Sequence, residues 1–114
     1  MKKTKIVSLV LFIGVILLSL GGCDTYTVKY QITGPSTTAK TVTYENEAYG
    51  TDEISNVPIP WEKIITVDKN FVASCTVTLD AGNTNTYTVK IFVDDKEVTR
   101  SSGTRFVVAV RSVR

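Results

Sequence analysis

The side chains able to do nucleophilic or proton-transfer chemistry are few. The chain has no histidine, so the commonest general base and the commonest transition-metal ligand are both missing. Its two cysteines are Cys23 and Cys75. Cys75 alternates with Phe71, Ala73, Val77 and Leu79, an apolar set in which a thiol behaves as a small hydrophobe. The carboxylate pairs and neighbours fall in turn-like stretches, at Asp52-Glu53, Asp94-Asp95 and Glu97. A calcium loop needs alternate acidic positions and a glutamate at loop distance. Asp94-Asp95 has neither and reads as a turn, where aspartate bonds local backbone. No glycine-rich phosphate loop follows any strand-like stretch. These residues predict a non-enzymatic protein with no catalytic residues, no metal site and no cofactor.

Cys23 stands in a different context. Lys2, Lys3 and Lys5 precede an apolar run over residues 6–20, which ends in Gly21 and Gly22. Basic front, apolar middle and small residues at the end form the layout of a secretory signal peptide. The run holds 15 residues and is interrupted by Ser8, Gly14 and Ser19, short of the roughly 18 to 20 that a spanning helix needs. Leu20-Gly21-Gly22-Cys23 resembles the bacterial lipobox, which implies a diacylglyceryl group on the Cys23 thiol and cleavage just before it. Residues 1–22 are then a lipoprotein signal peptide and residues 23–114 an extracytoplasmic domain, lipid-anchored on the inner or outer membrane. An uncleaved membrane anchor and an ordinary secreted protein are the two other readings of the segment.

Removing the segment changes the charge. The chain carries 13 Lys plus Arg against 11 Asp plus Glu, and three of the lysines leave with residues 1–22, so 10 face 11 in what remains. A near-neutral domain with interspersed signs has no electrostatic footprint for nucleic acid. The 92 residues left after subtracting 22 from 114 suffice for one core. Lipidation of Cys23 leaves Cys75 without a disulfide partner, so stability must come from packing.

Period-two alternation dominates from Thr25 onward. Tyr26, Val28, Tyr30 and Ile32 share one side of a strand that Gly34-Pro35-Ser36 is expected to end, and Val42 and Tyr44 belong to the next. Residues 46–56 read as a loop or weak edge strand. Pro58 and Pro60 suit a bend between strands and forbid a central one, after which Trp61, Ile65 and Val67 resume. Residues 71–80 form the clearest strand. Tyr87, Val89, Ile91 and Val93 follow, and Asp94-Asp95-Lys96 forms a hairpin tip. Residues 106–110 are a continuous apolar run that suits burial on both faces. With turn signals near every ten residues and no helical period after residue 22, the fold class is all-β: an antiparallel Ig-like β-sandwich of about seven or eight strands. Tyr30, Tyr44, Trp61, Cys75 and Val89 are expected in its core, with Trp61 closing one end behind the proline bend.

Four segments taken in order carry a more specific likeness. Tyr-x-Val-x-Tyr-x-Ile-Thr-Gly (residues 26–34), Val-Thr-Tyr (42–44), Ile-Pro-Trp (59–61) and Val-Lys-Ile-Phe-Val-Asp-Asp-Lys (89–96) resemble the small mycobacterial membrane proteins of the MmpS family. The resemblance implies an extracytoplasmic β-sandwich that acts as an accessory to large RND-type transporters exporting lipids and siderophores. It carries over no catalytic residue. Two departures stand out: the family keeps an N-terminal membrane helix where this chain has Leu-Gly-Gly-Cys, and it has a cysteine pair on the last strands where this chain has Val89 and a residue near Val110. The expected function is that of a membrane-anchored lipoprotein whose sandwich is an accessory or interaction domain, with an RND-type transporter as partner. The alternative is an envelope module that binds a solute or lipid.

Overall fold

A computed structural model describes residues 25–113; the lipobox residues Leu20, Gly21, Gly22 and Cys23 lie outside them. Six strands follow in order: β1 (Thr25–Glu45), β2 (Thr51–Asp68), β3 (Val72–Thr78), β4 (Tyr87–Val93), β5 (Lys96–Gly103) and β6 (Phe106–Ser112). All pairings are antiparallel, in the order β5-β4-β1-β3-β6, with β2 on the other flank of β1.

β1 and β2 are long because their hairpin serves two sheet halves. The first part of β1 pairs with β4, from Val28 opposite Val93 to Thr33 opposite Thr88. The second pairs with β3, from Thr41 opposite Thr78 to Tyr44 opposite Cys75. β2 follows β1 through both parts, with a register shift between Ile32, opposite Trp61, and Thr37, opposite Ile59. Residues 33–36 thus bulge against Pro60, and such a bulge bends and twists a strand pair. Gly34 sits in it at φ 151°, against the Tyr87 ring. Neither Gly34-Pro35-Ser36 nor the two prolines end a strand, contrary to the sequence reading. β2 pairs only with β1, and an edge strand tolerates a missing N–H on its open side. Since β1 and β2 each supply a segment to both halves, six strands give the two halves eight segments, a sandwich that is nearly closed into a barrel.

Residues 46–56, expected as a loop or a weak edge strand, divide between the two. The turn takes only residues 46–50, where the Asn46 Oδ1 accepts from the Ala48 N–H at 2.9 Å and the Gly50 N–H at 3.0 Å, and strand resumes at Thr51. At the hairpin tip, Asp94 and Asp95 both have positive φ, 50° and 67°, as a type I′ turn demands. The Asp94 carboxylate accepts from the Thr27 N–H at 2.9 Å, so it fastens this tip to the start of β1.

The core lies between the halves. Val28, Tyr30, Ile32, Ala73, Cys75, Val77, Tyr87, Val89 and Ile91 are fully buried, and they alternate along their strands with exposed or half-buried neighbours. Burial of β6 is one-sided: Val107 and Ala109 turn inward, while Phe106, Val108 and Val110 are exposed. The apolar run is therefore not covered on both faces. β6 ends the strand order, and nothing among the described residues packs on its outer side.

Candidate interaction surface

Of the expected core residues, Tyr30, Tyr44, Cys75 and Val89 are buried and Trp61 is not fully enclosed. Tyr30 and Tyr44 have ring centroids 5.7 Å apart, and Tyr44 and Trp61 are likewise 5.7 Å apart. Trp61 is half-buried and packs against the core from its margin, so it does not seal an end from inside. The Tyr30 hydroxyl donates to the Glu45 carbonyl at 2.8 Å and accepts from the Ser74 N–H at 3.4 Å. Burial raises its pKa well above the ordinary phenol value, and the Ser74 N–H partly opposes the rise. This bond set ties β1 to β3 and was invisible in the sequence, because Ser74 lies 44 positions away. The Tyr87 hydroxyl is buried without a hydrogen-bond partner among the described residues.

Val89 is enclosed on β4, whereas Val110 is half exposed on the outer side of β6. They point to different sides and form no inward pair; the buried residue beside Val110 is Ala109. Cys75 is fully buried, and burial pushes its thiol up to about 12. A thiol that is both shielded and protonated is inert. In a Cys23→Ser chain, where Cys75 is the sole thiol, a disulfide reagent at pH 8 is expected to react only after urea unfolding. Rapid labelling of the folded chain would refute this placement.

Apart from the open side of β2, unpaired edges meet at the seam between β5 and β6. Each has a paired flank, with β4 and β3 respectively, and an unpaired one. The two edges are bridged where the Arg111 Nη1 donates to the Val98 carbonyl at 3.1 Å. Beside the bridge lies a groove of about 540 Å³ lined by Val93, Val98, Val110, Arg111, Ser112 and Val113. Free strand edges present rows of N–H and C=O groups that template a further strand, and strand addition is a common mode of peptide recognition. Sequence patterning could not show this groove, because it depends on which strands end the order.

A family profile described as Mycobacterium membrane protein matches residues 21–110. The match spans β1 to β5, most of β6 and the segment around Cys23. No curated protein matches the sequence.

Proposed function

From the premise that the chain belongs to the Mycobacterium membrane protein family, we propose that it is a lipid-anchored, extracytoplasmic interaction domain without enzymatic activity, an accessory to an RND-type envelope transporter. The observation that carries this reading is the seam, where two unpaired edges flank a groove able to accept a strand from a partner. The anchoring part rests on Lys2, Lys3 and Lys5, the apolar run and Leu20-Gly21-Gly22-Cys23. A photo-cross-linking side chain at Ser112, on the groove wall, should capture a membrane transporter from native membranes in mild detergent. Capture at Ser112 no greater than at exposed Thr66, on β2, would count against the reading.

The anchor has its own test. Cys23→Ser is expected to abolish labelling by a fatty-acid probe and to leave an uncleaved or released precursor. Labelling at the wild-type level would mean that Cys23 carries no lipid.

The groove also favours a second reading, an envelope module for a solute or lipid, since its volume exceeds the roughly 300 Å³ at which ligand pockets begin. A small molecule that co-purifies with the native chain and is lost on Val98→Arg would support it over a protein partner.

A further inference from the structure

We infer that the outer side of β6, together with Val72 at the start of β3, is a lipid-contacting strip that seats the domain on the bilayer; this rests on the membrane attachment proposed above. Phe106 is 65% exposed, Val110 54%, Val72 49% and Val108 38%. They form one surface by register: Val72 lies opposite Ser112, Ser74 opposite Val110, Thr76 opposite Val108 and Thr78 opposite Phe106. The intervening outward positions are serine and threonine, so no carboxylate stands in the strip. Arg105 and Arg111 share the alternation of inward Val107 and Ala109, and their guanidiniums donate to the Ala81 and Val98 carbonyls, so the outward strip carries no charge of either sign.

The location of the strip selects its occupant. Thr25 lies opposite Asp68, the Phe71 N–H donates to the Asp68 carbonyl, and the Val113 N–H donates to the Phe71 carbonyl. Val72 and Ser112 are therefore at the pole where the chain enters the fold. Cys23 precedes Thr25 by two residues, which reach at most roughly 7 Å, and this brings that end of the strip to the membrane. From Val110 to Phe106 the strip runs on for about 14 Å. An uncharged apolar side suits the boundary between headgroups and acyl chains, where amphipathic surfaces sit about 5–10 Å deep. A second copy fits less well. Antiparallel β6–β6 pairing centred on Val108 would set Arg105 opposite Arg111 at both ends, and like charges directly opposite destabilise a strand pair.

The test uses the full chain in phosphatidylcholine–phosphatidylglycerol vesicles whose acyl chains are brominated near the headgroups. Val72→Trp and Val108→Trp are compared with Ile64→Trp, an exposed site on β2 (55% exposed), each after subtraction of the Trp61 background. Both strip variants are expected to lose a large part of their added emission, because a strip seated about 5–10 Å into the interface lies within contact range of the bromines, while Ile64→Trp keeps its emission. Equal quenching at all three sites overturns the inference, as does flotation with the vesicles without quenching of the strip. Shielding of the strip from aqueous acrylamide without bromolipid quenching would mean a protein cover instead, and overturns it too. A chain that does not float fails the attachment reading and takes this inference with it.

Discussion

Tyr30→Ala is expected to lower unfolding free energy by about 3–5 kcal/mol, the usual cost of deleting a buried aromatic. That is a large share of the roughly 5–15 kcal/mol that holds a domain together. The ring is fully enclosed and packs on Tyr44, so its loss leaves a cavity at the bend. The substitution also strips the Ser74 N–H and the Glu45 carbonyl of their shared partner. Tyr30→Phe isolates that last effect and should cost about 1–3 kcal/mol. Urea titration followed by circular dichroism measures both, and a loss below about 1 kcal/mol for the alanine variant would contradict the packing described. The hydroxyl also has a pH signature. Its pKa is raised in the fold from an ordinary 10.0, chiefly by burial, so above pH 10 the unfolded chain releases a proton that the folded chain keeps. The contribution of Tyr30 is fully present below pH 10 and is lost as pH rises past it. Tyr30→Phe should flatten that part of the alkaline fall.

Gly34→Ala should cost about 2–6 kcal/mol, summing roughly 1–3 for a side chain in a sparsely populated backbone region and 1–3 for overpacking. Gly34 has φ 151°, and a β-carbon there would meet the Tyr87 ring, 2.8 Å from Cε1 and closer still to Cδ1. Tyr87 is fully buried, so its ring has little freedom to retreat. Gly82 offers the control, because a β-carbon added there meets nothing within 4 Å. The Gly34 variant should melt far below the Gly82→Ala variant; equal melting temperatures would show that the bulge does not depend on glycine.

Strand faces were legible in the sequence wherever side chains alternate between core and solvent. Val28, Tyr30 and Ile32, or Ala73, Cys75 and Val77, must share a side because a strand flips at every residue. Strand ends were less legible. Gly34-Pro35-Ser36 and Pro58-Ile59-Pro60 are local stop signals, yet the ladder continues past both, since a bulge takes up the extra residues and β2 lies on an edge. For residues 106–110 composition could not decide between one covered side and two; what decides it is that no second layer among the described residues lies over the outer face of β6. The seam was hidden because it depends on which strands end the order. Conversely, the pattern around Cys23 is written in the sequence alone, outside the described residues.

The way β1 enters the fold determines how the domain meets mechanical load. A pull on the chain ahead of Thr25 acts along β1, which from Val28 to Ile32 is laddered on both flanks, to β2 and to β4. Antiparallel hydrogen bonds run perpendicular to the strand, so tension along it loads two ladders in shear, with many bonds resisting together instead of parting one after another. The pair of bonds between Thr27 and Asp94, at 2.8 and 2.9 Å, clamps the strand near the point where the force arrives. Tension arriving through the residues ahead of Thr25 would thus be borne by a strand bonded on both flanks, while the edges at β5 and β6 stay unloaded.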